Sequence, residues 1–140
     1  MQENTAILIV RSGTEYVLQH RDDIPTIVFP GEYSTWGGLI EPEDKTPAAG
    51  AVRELKEETG LDCAESDLIY MGQEQVIAAA PNNLNNTIIL HYFALLIDEN
   101  TTVECYEGQG AVTVASPYKP NPKVSTVTIA AIERYEAKTR

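Results

Sequence analysis

The run Ala6 to Val10 reads A-I-L-I-V with no polar interruption, the pattern of a strand buried on both faces. Ser12-Gly13-Thr14-Glu15 is turn material, and Tyr16 to His20 predicts the returning strand of a hairpin. Charges and a proline mark Arg21 to Pro25 as loop. Thr26 to Phe29 reads as a short strand before Pro30-Gly31, after which Ser34 to Ile40 leads into the pair Gly37-Gly38. Further on, Leu68 to Ala80 and Thr87 to Ile97 have strand composition and are joined by a polar hairpin loop, Pro81 to Asn86. Val103 to Tyr106 and Ala111 to Ala115 are two more short β candidates. Asn121-Pro122 resembles a capped helix start, and Val124 to Lys138 predicts a helix with Val127, Ala131 and Tyr135 on one face. Strands around one central helix, closed by a C-terminal helix, suggest a mixed sheet between helices.

The period changes between Thr46 and Gly60. Thr46 suits an N-cap, Pro47 the first helical position and Gly60 the left-handed residue that ends a helix, which predicts a helix over roughly residues 47 to 59. On that helix Ala48, Val52, Leu55 and Thr59 fill one side, while Glu54, Glu57 and Glu58 fall within an arc of about 100° on the other. Arg53 lies one turn before Glu57, where an ion pair can orient that carboxylate. Carboxylates that close together repel, so the cluster asks for a cation; the plainer alternative is a solvated acidic face.

Composition narrows the picture. A chain of 140 residues, 43% hydrophobic, predicts one domain spanning 1–140 with a core of its own. A formal charge of −11 disfavours long nucleic acid as a partner. No apolar run approaches a bilayer span and Met1-Gln2-Glu3-Asn4 carries no basic leader, so the expected setting is soluble and cytoplasmic, with no membrane. Cys63 and Cys105 lack C-x-x-C spacing and are expected as free thiols. His20 and His91 lie in strand-like runs, where packed or edge roles are expected.

The segment from Gly38 to Leu61 resembles the signature of the Nudix hydrolases, G-x5-E-x7-R-E-U-x-E-E-x-G-U, with U a bulky aliphatic residue. Its second half is present without deviation as Arg53-Glu54-Leu55-Lys56-Glu57-Glu58-Thr59-Gly60-Leu61. The first half departs from it: the sixth residue after Gly38 is Asp44, and eight residues rather than seven separate Asp44 from Arg53. One extra residue sits in the turn Glu41 to Lys45, leaving the first acidic role to Glu43 or Asp44. The resemblance implies an α/β/α sandwich with a mixed central sheet and a signature loop-helix-loop. It also implies Glu54, Glu57 and Glu58 as metal ligands, with the Gly37 carbonyl as another, and Arg53 as a residue that orients carboxylates. Glu107-Gly108-Gln109 is similar to the E-G-Q element of MutT-like members, in which the glutamate joins the metal site or acts in catalysis. The general base is then Glu107 or Glu54. The stretch from Arg21 to Tyr33 is expected in the pocket wall, with Arg21 towards the substrate; Trp36 is placed either there or in the core.

The chemistry such a site performs is hydrolysis of a phosphoanhydride. It requires neutralised phosphoryl charge, a water in line with the bond and a group to take its proton. Mg²⁺, or Mn²⁺ in its place, prefers oxygen ligands and lowers the pKa of bound water. Neither a Ser-His-Asp nor a Cys-His signature offers a covalent route. The implied substrate is a nucleoside diphosphate linked to another group. Val76 and Ile77 stand where ADP-ribose hydrolases tend to place a proline, and the E-G-Q element points to a MutT-like nucleoside triphosphate pyrophosphohydrolase. ADP-ribose or nucleotide-sugar hydrolysis, a non-catalytic nucleotide-binding module and a homodimer stay open.

Overall fold

The computed structural model describes residues 2–27, 29–80 and 83–139. Its strands are β1 (Gln2–Arg11), β2 (Glu15–His20), β3 (Tyr33–Ser34), β4 (Leu68–Ala80), β5 (Asn83–Ile97) and β6 (Gly110–Ala115), and its helices α1 (Pro47–Thr59) and α2 (Thr126–Thr139). The sheet runs β3-β2-β1-β5-β4, with β6 on β2. β1 lies parallel to β5 along its whole length, and the other pairings are antiparallel, so the sheet is mixed.

The uninterrupted apolar run of β1 is explained by what covers it. Ala6, Leu8 and Val10 pack with Leu18, Tyr92 and the α2 residues Ala131 and Ile132, whereas Ile7 and Ile9 pack with Val17, Trp36 and the α1 residues Ala51 and Leu55. Alternation along one strand thus feeds two helical layers, which is the α/β/α sandwich. Among the described residues no helix is long and apolar enough to cross a membrane.

A fork in the sheet prepares the site. β1 and β2 pair only from Ile9 with Val17 to Arg11 with Glu15. Beyond that they diverge, and the segment 33–40 fills the gap: Tyr33 and Ser34 pair with β2, while Trp36 and Leu39 bridge to Ile7 and Asn4 of β1. Gly37 and Gly38 therefore sit at the mouth of the fork.

Five elements differ from the sequence expectation, the first being β1, which begins at Gln2 rather than Ala6 because its polar start pairs with β5 from Ile88 onwards. Thr26, Ile27 and Phe29 form turn and bend rather than strand, because Ile27 N–H bonds back to Ile24 and Glu32 N–H to Phe29; Val28 lies outside the described residues. Val103 to Tyr106 is not a sheet strand: Glu104 and Tyr106 donate their amides to the Thr59 and Glu58 carbonyls at the end of α1. α2 starts at Thr126, not at Asn121-Pro122. Lys123 and Ser125 are held by backbone bonds to Tyr33, and Ser125 Oγ then accepts the Thr128 N–H as the cap. Finally, β5 begins at Asn83, inside the expected loop, of which Pro81 and Asn82 lie outside the described residues.

Candidate active site

α1 is delimited as its sequence predicts. Thr46 Oγ1 accepts the Ala49 N–H at 3.0 Å, Pro47 opens the helix and Gly60 closes it at φ 75°. The buried side is Gly50, Ala51, Leu55, Glu58 and Thr59, so it includes one of the three glutamates and turns by about a residue from the expected stripe. The consequence for the site is large: Glu58 is only 4% exposed, while the Glu57 side chain is 59% exposed.

The glycine pair explains what Glu58 faces. Ile7 and Thr5 donate to the Trp36 and Gly38 carbonyls, and the Gly37 N–H turns the other way, to Glu58 Oε1 at 2.9 Å. Gly37 has φ 131°, and a Cβ there would lie 2.2 Å from the Thr5 carbonyl oxygen. A Cβ on Gly38 would lie 2.9 Å from the Glu54 carboxyl carbon. Both positions need glycine because backbone and carboxylate approach closely there.

Arg53 organises the rest. Its Nε and Nη2 donate to the two Asp44 carboxylate oxygens at 3.1 and 2.9 Å, Nη2 also to the Leu39 carbonyl, and Nη1 to Glu54 at 3.1 Å and Glu57 at 3.4 Å. Asp44 also accepts the Glu41 N–H at 2.8 Å, and its own N–H returns to the Glu41 carbonyl. The extra residue is thus absorbed in a closed turn, leaving the register of α1 untouched. Asp44 is the residue that grips Arg53, and Glu43 points into solvent.

These contacts set the electrostatics. Burial, reinforced by the charges of Glu54 and Glu107 and opposed by the Gly37 N–H and Arg21, pushes the Glu58 carboxyl up to about 8. Burial also raises Glu54, against the pull of Arg53. Asp44 is held below the usual carboxylate range by Arg53 and the Glu41 amide, and Arg53 is held charged by Asp44. Two raised carboxyls that repel one another and Glu107 are short of positive charge.

A cavity of about 260 Å³ opens beside them, with Arg21, Gly37, Gly38, Glu58 and Glu107 at one end and Phe29, Val76, Ile77 and Val127 at the other. The structure therefore brings Glu58, Glu107, Gly37 and Arg21 together, with Glu54 against Gly38. Glu57 is turned towards Arg53 instead. Trp36 touches the cavity, but its ring belongs to the core: it is 1% exposed and its indole N–H donates to the Val17 carbonyl at 2.9 Å. His91 is buried between Tyr70 and Glu3, away from the cavity, as a packed histidine. Cys63 and Cys105 are free thiols.

Three contributors were not foreseen. Thr5 hydroxyl bonds the Gly38 amide at 3.3 Å, Asn4 lines the cavity with an Oδ1 that has no partner among the described residues, and Gln19 holds the Glu107 loop. Only Gln19 leaves a sequence signal, a polar residue two positions after Val17 on an inward face.

Among the described residues no three His, Cys, Asp or Glu side chains already converge as a metal cage. The donor set nevertheless fits a hard divalent cation. It is all oxygen and it carries excess negative charge, with Glu58 buried and Glu54 and Glu107 close enough to raise it further.

A family model for the NUDIX domain matches residues 1–117. No curated protein matches the chain. Among solved structures it is similar to a MutT/nudix family protein from Enterococcus faecalis, at 13% identity and a TM-score of 0.65 over 81% of this chain. It spans only 43% of that longer protein. It is also similar to a MutT protein from Methanosarcina mazei Go1, at 18% identity and a TM-score of 0.75 over 99% of this chain and 95% of that one. The NUDIX domain of Shewanella oneidensis NrtR, complexed with ADP ribose, is similar at 12% identity and a TM-score of 0.71, over 99% and 88%. With the family model covering most of the chain and the signature helix, glycine pair and sandwich in place, the chain belongs to the Nudix hydrolase family.

Proposed function

We propose that the protein is a divalent-metal-dependent pyrophosphohydrolase that cleaves a phosphoanhydride in a nucleoside diphosphate linked to another group, with a nucleoside triphosphate as substrate. The observation that carries this is Glu58: a nearly sealed carboxylate bonded to the Gly37 N–H, beside Glu54 and Glu107, at the acidic end of a cavity whose far end is apolar. Glu54, Glu57, Glu58 and the Gly37 carbonyl are the groups that would hold Mg²⁺ or Mn²⁺. When bound, the ion neutralises phosphoryl charge and acidifies a coordinated water.

The chain's own residues do the remaining work. Arg53 keeps Glu54 and Glu57 oriented. Glu107, exposed at the cavity mouth, is placed to take a proton from the attacking water or to complete the ligand set, with Glu54 as the other candidate base. Arg21 faces the same end and carries the charge that a substrate phosphate needs. The apolar end, between Phe29, Val76, Ile77 and Val127, suits the flat face of a base, and Asn4 Oδ1 offers it an acceptor. The free thiols fit a cytoplasmic setting.

Release of phosphate, pyrophosphate or mononucleotide from a panel of nucleoside triphosphates, ADP-ribose and nucleotide sugars, with and without Mg²⁺, tests this. Triphosphate turnover that requires metal supports it. Preference for ADP-ribose would move the substrate within the family, and binding without turnover of any member would make the chain a nucleotide-binding module.

A further inference from the structure

The turn Glu107-Gly108-Gln109 is fastened to the end of β2, and its fastenings converge on one buried amide. Gln19 is 3% exposed, and its backbone is locked between Ser34 of β3 and Ala111 of β6. Its Nε2 donates to the Glu107 carbonyl at 2.6 Å, and its Oε1 accepts from the Arg21 guanidinium at 3.4 Å. Cys105 Sγ donates to the same Glu107 carbonyl at 3.0 Å.

The surrounding contacts press the turn onto this side chain. Gln109 donates its backbone N–H to the His20 carbonyl at 2.7 Å and its Nε2 to the Arg21 carbonyl at 2.9 Å. Gly108 has φ 104°, and a Cβ there would come within 2.7 Å of the His20 carbonyl oxygen and 3.2 Å of Gln19 Cγ. A small cleft of about 70 Å³ is lined by Gln19, Arg21, Asp22, Glu107 and Gly108, so the two partners of the amide border the same space.

We propose that Gln19 is a positioning residue that spaces Glu107 from Arg21. A primary amide is the one side-chain group of this length that presents a donor and an acceptor on one rigid plane. The carbonyl of Glu107 can only accept and the guanidinium can only donate, so the two partners require an amide in this orientation. Glutamate at 19 would keep the acceptor for Arg21 and set an anion against the Glu107 carbonyl; methionine would keep the length and lose both bonds. The catalytic meaning of this spacing rests on the functional reading of Glu107 above.

The test compares the full chain with Gln19→Met, Gln19→Glu, Glu107→Gln and the Gln19→Met/Glu107→Gln double variant. Backbone hydrogen exchange is measured first, without substrate. Gln19→Met is expected to speed exchange of the Gln109 amide at least about tenfold while β1 and β5 amides stay protected. In kinetics with Mg²⁺ and the best nucleotide of the panel, Gln19→Met is expected to lower kcat about tenfold or more. In the Glu107→Gln background it should cause no further loss, because both changes remove the same function. Gln19→Glu, which keeps the Arg21 contact, is expected to lower kcat with KM nearly unchanged, and it stands in if Gln19→Met does not fold. Unchanged exchange at Gln109, or losses that multiply in the double variant, overturns the proposal. Absence of turnover in the wild type instead overturns the functional reading and the catalytic half of this one, and exchange still decides whether Gln19 fastens the turn.

Discussion

Replacing Glu58 by Gln should make the metal-free protein more stable at neutral pH while abolishing its response to metal. The Glu58 carboxyl is pushed up to about 8 in the fold from an ordinary value of 4.5. Because the folded value is the higher one, its stabilising contribution is fully present below pH 4.5 and is lost as pH rises through 8. At 1.36 kcal/mol per unit, that difference corresponds to about 5 kcal/mol at most, of which about 4 is already lost by pH 7.5. Glutamine keeps an oxygen for the Gly37 N–H and cannot ionise, so the variant should lack this pH-dependent loss. In urea denaturation with EDTA between pH 5 and pH 8.5, the wild type should lose several kcal/mol relative to Glu58→Gln. By the usual scaling for a chain of this size, that is a melting difference on the order of 10 °C at pH 7.5. Glu54, also raised by burial, adds a slope of the same sign, whereas Asp44, held low, acts only in acid, where stability falls as it protonates. Mg²⁺ at pH 8 should raise the wild-type midpoint and leave the variant where it was. Stability profiles that run parallel across this range would mean that Glu58 is not penalised by its surroundings.

Asp44→Asn should destabilise the fold at pH 7 by about 1–3 kcal/mol, the cost of breaking the hydrogen-bonded pair with Arg53, while Glu43→Gln should stay within about 0.5 kcal/mol of wild type. Equal losses in urea denaturation would remove Asp44 from its assigned role. Gly37→Ala should fail to fold or lose more than about 3 kcal/mol, because its Cβ meets the Thr5 carbonyl; circular dichroism melting reads this directly, and a near-native melt would contradict the fork geometry. Glu57→Gln should lower Mg²⁺-dependent turnover about 10–100-fold with the melt unchanged, since Glu57 lies on the surface; wild-type turnover would take it out of the ligand set.

The boundaries of α1 were legible because each is set by a local residue: Thr46 supplies the cap oxygen, Pro47 the fixed φ and Gly60 the left-handed turn. The two-sided burial of β1 was equally legible, because an unbroken apolar run has few other homes. The start of α2 was not, since Asn121-Pro122 carries a local cap signal that loses to backbone bonds between Tyr33 and residues 123 and 125, 90 positions or more along the chain. Val103 to Tyr106 has strand composition, but its partner is the end of a helix. At the site, periodicity placed three glutamates on one face. It could not show that the packing of α1 buries Glu58 and leaves Glu57 outside, because that depends on where the glycine pair sits in the fork. The choice between Glu43 and Asp44 likewise needed the turn that brings Asp44 onto Arg53. Asn4 and Thr5 precede the apolar run by which the sequence marks β1, and no local signal assigns them to the site.

The most direct measurement is a crystal structure with Mn²⁺ and a non-hydrolysable nucleoside triphosphate, with the ion located by its anomalous scattering. The ligand set assigned to Glu58 and Glu54 requires an anomalous peak coordinated by both beside Gly37, in contact with the nucleotide's phosphates. Nucleotide bound in the cavity with no ion at those carboxylates, or with the ion held elsewhere, would contradict it.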